Sequence, residues 1–363
     1  MYKKYFSTTD LNTGRQEEFD VARAFSVVGM VFTHVFLSSG YGYSTGLEFI
    51  VVAVLGTFLG APLFMFYMGA AINYSTHNSP AELFKRGIII FIMAYLLNIV
   101  RLIGPDLIIY HHYRIPFNMD YFLGLLLRLD ILQFAGLAFI TMAIFKKFNV
   151  KPIAIIIFSL ALSIIATFKS GMVIPGTVAP RIVGLFIGAR GEKGITGFFS
   201  YSNYFIFVGF GYVFGIYWRK IKDKKAFFKK FSPICAVLGI IGLALELYFK
   251  VGLVGTQKLE NYYFISLPDV ILSFLCAMAM AGVYYWLYNV SGDRFKNVCI
   301  FLSKNIFIIY VVHLIVIRYT VYLIFRHILM VEFTNLMLYG FSIIIIFISY
   351  YITKLLRKTI LKN

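Results

Sequence analysis

Apolar residues in this chain neither alternate nor recur on one helical face; they run on. Ten long apolar stretches follow one another, at 20–39, 48–74, 84–104, 121–145, 152–168, 202–218, 232–250, 265–289, 298–320 and 335–355. Runs of about 18 or more such residues are long enough to cross the hydrocarbon core of a bilayer as helices. Transmembrane β-strands would appear instead as short segments alternating apolar and polar, so a barrel is excluded. The pattern predicts an all-α polytopic membrane protein with about ten transmembrane helices. One further apolar piece, VAPRIVGLFIGA at 178–189, is too short to span and fits an extra re-entrant segment.

Composition agrees. Of 363 residues, 60% are hydrophobic and 14% charged, and the mean hydropathy is +0.82, which leaves too little polar surface for a soluble domain. The formal net charge of +18 would suit a nucleic-acid partner if it formed a patch. It does not: Lys and Arg sit in short clusters between the apolar runs, where they report topology. One side of the expected membrane collects 21 of them, including RKIKDKKAFFKK at 219–230, and the other side 10, among them Arg101 and Arg318. The positive-inside rule then places both termini in the cytoplasm, as an even number of spans requires. The expected organisation is a cytoplasmic segment 1–19, a single transmembrane domain 20–355 and a cytoplasmic tail 356–363.

No cleaved signal peptide is expected, because residues 1–19 are polar and no small-residue cleavage site follows the first apolar run. Cys235, Cys276 and Cys299 lie in or beside apolar segments, with no metal spacing and no disulfide framework. His111 and His112 are adjacent rather than one turn apart, so no metal is expected there either. Walker, Rossmann, HExxH and GxSxG patterns are missing from any context that would support them. The longest non-spanning stretch, about 169–201 and containing GARGEKGITG, reads equally as a solvated loop or as part of a binding mouth.

Ionisable residues inside apolar spans are each a functional hypothesis, since insertion there costs about 2.5–3.5 kcal/mol. The first span, EEFDVARAFSVVGMVFTHVF, carries Asp20, Arg23 and His34. Arg23 and His34 are 11 residues apart, close to three turns, so they share a face about 16 Å apart along the axis. Asp20, one turn before Arg23, is placed to pair with it. A guanidinium near the cytoplasmic surface suits a phosphate-bearing ligand. A neutral imidazole deeper in the membrane suits a base that takes a proton from a hydroxyl or amine attacking an activated carbonyl. A long phosphorylated donor such as a coenzyme A thioester would span the two. The plain alternative is a snorkelling Arg and a hydrogen-bonded His.

RLDILQ at 128–133 adds Arg128, Asp130 and Gln133, with Asp130 placed to accept the second N–H of His34. Arg128 and Asp130 could equally be structural ion-pair partners of neighbouring helices. SKNIFIIYVVH at 303–313 adds Ser303, Lys304, Asn305, Tyr310 and His313. Small residues at 60, 61, 69, 70 and 71 in GAPLFMFYMGAAINYS are expected to let helices approach closely.

These blocks carry a resemblance. FDVARAFSVVGMVFTH (19–34) resembles the first-helix signature of the acyltransferase-3 family: Asp, Arg three residues on, His eleven further. GAPLFMFYMGAAINYS (60–75) and LLRLDILQFAGLAF (126–139) resemble motifs of bacterial relatives of heparan-α-glucosaminide N-acetyltransferase. FLSKNIFIIYVVH (301–313) resembles a late span that both groups share. Ala24 and the YMGAA ending depart from the RG and SG pairs of many members.

The resemblance implies an acyltransferase in the bacterial cytoplasmic membrane that uses cytoplasmic acyl-CoA, usually acetyl-CoA. The acceptor would be a glycan, a lipid-linked glycan or another envelope molecule on the far side. In that reading His34 is catalytic with Asp130 beside it, and Arg23, Arg128 and Lys304 hold the donor. Gln133, Asn305 and His313 match motif positions and become candidates for substrate binding. The partners are then acyl-CoA, the acceptor and the lipid bilayer, with no nucleic acid; a homodimer is left open. The rival class is a transporter or flippase for an anionic or lipid-linked solute, which intramembrane Arg, Asp and His serve equally well. No internal repeat joins the two halves, as it does in many transporters.

Overall fold

The computed structural model describes residues 2–40, 56, 60–192, 194–256 and 263–360. After a single helical turn at Tyr2–Tyr5 come α1 Glu17–Ser39, α2 Ala61–Ile72, α3 Pro80–His112 and the short α4 Met119–Leu126. Then come α5 Ile131–Lys147, α6 Pro152–Lys169, α7 Ala179–Ile187 and α8 Tyr201–Trp218. The last are α9 Lys224–Phe249, α10 Leu267–Val290, α11 Asp293–Lys304, α12 Ile306–Ile328 and α13 Asn335–Thr359. Between α7 and α8 a small antiparallel ribbon pairs β1 Arg190–Gly191 with β2 Gly194–Ile195.

Helix α1 is the axis of the bundle. Glu17, Glu18 and Asp20 in its first turn complement the positive end of the helix dipole, and Gly40 closes it at φ 70°. It packs against α2, α10, α11, α12 and α13, and 61% of its apolar window is buried, against 6% for Lys224–Thr256. The outer helices turn their apolar residues outward instead. Ile157, Phe168, Ile240, Phe249, Ile344 and Phe347 are all exposed, as side chains facing lipid must be. This is an integral membrane protein, nearly all helical.

Among the described residues, seven helices are long and apolar enough to cross a membrane, fewer than the ten expected. The difference has physical causes. Of the second run, 48–55 and 57–59 lie outside the described residues, and its described part, α2, has 12 residues. Helix α8 is buried by its neighbours over much of its length, so it carries Tyr, Ser and Asn that a lipid-facing helix would exclude. The segment 178–189 forms the nine-residue α7. Lys193, Lys258 and Lys362 of the charge count also fall outside the described residues.

The fourth run is broken rather than continuous. Helix α4 stops at Leu126, and Asp130 adopts an extended conformation (φ −149°, ψ −177°) and N-caps α5 in a capping box with Gln133. The break frees backbone carbonyls inside the membrane region, where they must find donors. Asn98 supplies them, donating to Leu126 O at 2.9 Å and Arg128 O at 2.7 Å. A second break falls at Asn305, between α11 and α12.

Arg101 and Arg318 are not the solvated outer residues that the charge count assumes. Helix α3 continues beyond 104 to His112 through a π-helical stretch at Ile99–Ile103, which turns Arg101 inward until it is 6% exposed. Arg318 opens the wide turns at Arg318–Ile328 and donates from Nε to Arg101 O at 3.1 Å. Their removal from the outer side steepens the charge asymmetry.

The small residues act as expected at the α2–α8 contact. A Cβ on Gly69 would stand 2.2 Å from Val208 O, and one on Gly211 2.0 Å from Phe66 O, so the two helices touch backbone to backbone. Gly211→Ala should therefore lower stability by about 1–3 kcal/mol through overpacking. Gly340→Ala, with open space around it, should not. Thermal unfolding in detergent checks both; equal melting temperatures would refute the close contact.

Candidate functional site

Helical spacing puts Arg23, Met30 and His34 on one face of α1, at i, i+7 and i+11. That face borders two cavities. The larger, about 1010 Å³, opens at the end of the bundle where α1 and α3 begin and α11 ends. The smaller, about 170 Å³, encloses His34. Met30, Ile131 and Tyr310 line both, so the cavities abut there.

The larger cavity is basic. Among the described residues its walls carry Arg15, Arg23, Lys85, Arg86 and Lys304 against two carboxylates, Asp20 and Glu82. Neither carboxylate opposes Arg23 directly. Arg15 grips Asp20 through Nε at 2.6 Å and a second nitrogen at 2.9 Å, so the expected Asp20–Arg23 pair gives way to Asp20–Arg15. Glu82 accepts from Ser79, holding the capping box that starts α3, and faces His77 Nδ1 at 2.9 Å. Arg23 donates to Ser303 Oγ and to Tyr67 O, both at 3.3 Å. Those two bonds pin its guanidinium between α1, α2 and α11 and leave further N–H groups for a ligand. Arg86 stacks 4.6 Å over the Phe139 ring. Such a site suits a polyanion with an apolar portion.

The His34 chamber has a different character. His34 packs against His313 and Tyr310, at ring-centroid distances of 5.4 and 6.4 Å. Among the described residues, no hydrogen-bond partner reaches either of its ring nitrogens, so both remain available to the chamber. Asp130 lines the same chamber without binding His34. Its carboxylate accepts from Arg101 at 2.6 Å and from Ile131 N at 2.7 Å. The expected Asp130–His34 bond is replaced by an Asp130–Arg101 ion pair, because a buried guanidinium offers the stronger charge-assisted donor. Arg101 also donates twice to Asn98 Oδ1, at 3.0 and 3.2 Å.

Other expected residues lie elsewhere. Gln133 lines neither cavity; it accepts from Asp130 N at 2.9 Å and donates to Arg128 O at 3.2 Å, which makes it a helix cap. Asn305 accepts from Arg357 Nε at 2.6 Å and donates to Phe301 O at 2.8 Å, bracing the α11–α12 break outside both cavities. His313 is buried behind His34 and donates from Nδ1 to Ile309 O at 2.9 Å. Lys304 shares the larger cavity with Arg23, whereas Arg128 opens into the His34 chamber. In the basic run at 219–230, Lys224 pairs with Glu18 at 2.6 Å and Arg219 with Asp10 at 3.1 Å, so neither faces the larger cavity.

Arg101 and Arg318 are chamber residues that sequence reasoning counted only as loop charges. An Arg followed by Leu-Ile-Gly-Pro at the end of a run reads as an interfacial anchor. Only the π-helical stretch redirects it. The loop 169–201, open between two readings, does reach the site: Phe198 and Phe199 line the chamber.

A search of the curated proteins finds no match. The profile of the family described as acyltransferase domain matches residues 16–354, from the start of α1 into the last turns of α13. That span contains both cavities and the helices that build them. On a match that leaves out only its two ends, the chain belongs to the acyltransferase-3 family of membrane acyltransferases.

Proposed function

We propose that the protein transfers an acyl group, acetyl in the simplest case, from cytoplasmic acyl-CoA to a hydroxyl or amine of a glycan or other envelope acceptor across the membrane. Bacterial cytoplasmic membrane is the setting this reading requires, with both termini in the cytoplasm. One observation carries it: a basic cavity at Arg23 abuts a small chamber at His34 along a single face of α1. An extended thioester has that shape, with phosphates at one end and the reactive carbonyl at the other.

In this mechanism Arg23 and Lys304 hold the donor's phosphates, and the pantetheine arm runs past Met30. The acyl carbonyl enters beside His34. An imidazole nitrogen with a free lone pair takes the proton from the acceptor O–H or N–H as its electron pair attacks the carbonyl carbon. Collapse of the tetrahedral intermediate breaks the C–S bond, and the imidazolium returns the proton to the departing thiolate. Free CoA thiol and acylated acceptor result, and His34 is neutral again. Tyr310, at the junction of the two cavities, is placed to donate to the developing oxyanion. Asp130 keeps Arg101 in place rather than polarising His34.

His34→Ala should reduce thiol release by about 10²–10⁴-fold, the range of a general base, while CoA still binds. Undiminished turnover would end this mechanism. Arg23→Ala should weaken acetyl-CoA binding by about tenfold or more, the loss of at least one charge-assisted hydrogen bond, with a smaller effect on kcat. An unchanged KM would separate Arg23 from the donor. Met30→Trp should block the junction, so that CoA binding survives and transfer fails. Parallel assays of CoA binding and thiol release distinguish that outcome from simple misfolding.

A further inference from the structure

Among the described residues, charge does not balance in the His34 chamber. Three guanidiniums line it, from Arg101, Arg128 and Arg318. Arg101 is matched by Asp130 at 2.6 Å. Arg318 faces Asp106 at 3.6 Å and stacks 3.6 Å over the Tyr322 ring, while Asp106 also accepts from the Tyr121 hydroxyl at 2.5 Å. Arg128 has no such match. Among the described residues, no carboxylate pairs with its guanidinium and no oxygen accepts from it; its contact is the Phe198 ring, 4.9 Å away.

A half-buried cation without a partner is expensive at membrane depth. Here the backbone also holds it in place. The Arg128 carbonyl accepts from Asn98 at 2.7 Å and Gln133 at 3.2 Å, so the residue cannot swing away with a flexible loop. The guanidinium carbon lies 4.9 Å over the Phe198 ring, and with no oxygen accepting from it among the described residues its N–H groups are left for a bidentate oxygen ligand.

We infer that the chamber receives an anionic group, a carboxylate or a phosphate, bound by Arg128, and that the acceptor carries it. The anion site stands on the unmatched cation alone; its assignment to the acceptor rests on the acyl-transfer reading above. Position favours the acceptor. Arg128 lines the His34 chamber and not the larger cavity, and its ring partner Phe198 comes from the loop before α8. A donor arriving past Met30 meets His34 from the other cavity. The second source of the same chemistry is the far carboxylate of a dicarboxylic acyl chain.

The test is thermal unfolding of the purified full chain in detergent, at constant ionic strength and with CoA present to fill the larger cavity. The probes are glucuronate and glucose 1-phosphate, with glucose as the neutral match. The anions should raise Tm by about 2 °C or more over glucose. Arg128→Gln should abolish the rise and Arg128→Lys keep part of it, with stabilisation by CoA itself showing that both variants fold. An anion effect that is missing from the native chain, or unchanged in Arg128→Gln, overturns the proposal unless succinyl-CoA behaves otherwise. If succinyl-CoA alone outbinds acetyl-CoA in an Arg128-dependent way, the anion site holds and its assignment to the acceptor falls. Failure of CoA to stabilise the chain overturns the acyl-CoA reading instead, and the Arg128-dependence of the glucuronate shift is still read.

Discussion

The ion pair between Arg101 and Asp130 organises the centre of this protein. It ties the π-helical stretch of α3 to the break between α4 and α5, two irregular pieces of backbone at membrane depth. Irregular backbone survives there only if other groups satisfy it. Asn98 meets two freed carbonyls, Gln133 meets the Asp130 amide, and Arg101 joins Asn98 to Asp130. Breaking such a pair by removing one partner leaves an uncompensated buried charge, typically worth about 3–5 kcal/mol. The same pair forms a wall of the His34 chamber, so the structural anchor and the site are one feature.

Helix α1 then acts as a ruler. Its N-terminal half presents Arg23 to a basic cavity, its C-terminal half presents His34 to a smaller one, and Met30 stands at their junction. The surrounding helices serve this arrangement in two ways. Some, such as α2 and α8, approach so closely that glycine is required, which narrows the bundle around the chambers. Others, such as α9 and α13, turn exposed Ile, Leu and Phe to lipid and contribute little to the site. The two environments differ in charge economy. Among the described residues, the larger cavity mixes five basic groups with two acids that are already engaged, whereas the smaller pairs two of its three guanidiniums and leaves the third without a carboxylate.

Much of the helical content and the one-face placement of Arg23 and His34 were legible in the residues. Long apolar runs require helices in a bilayer, and an 11-residue spacing puts Arg23 and His34 on one face whatever surrounds them. The breaks were not legible. LLLRLDILQF offers enough Leu and Ile to read as one continuous span, and an Asp within it reads as a polar residue on a helix face rather than as a cap. Asn305 has the same ambiguity. Gln133 and Asn305 lie outside both cavities, and each satisfies backbone or side chains at a break.

What the sequence determined by itself is therefore whatever follows from local periodicity and hydropathy: a helical membrane protein, one polar face on α1, and a strong charge bias between its loops. What only the tertiary structure decided is which polar groups find each other. Asp20 goes to Arg15 rather than Arg23, Asp130 to Arg101 rather than His34, and Arg128 to a chamber where, among the described residues, no carboxylate pairs with it. The physical reason is that ion pairing depends on separations of a few ångströms between groups far apart in the chain. Hydropathy constrains depth in the membrane, but it carries no information about azimuth or about a neighbour 29 residues away, the spacing of Arg101 and Asp130.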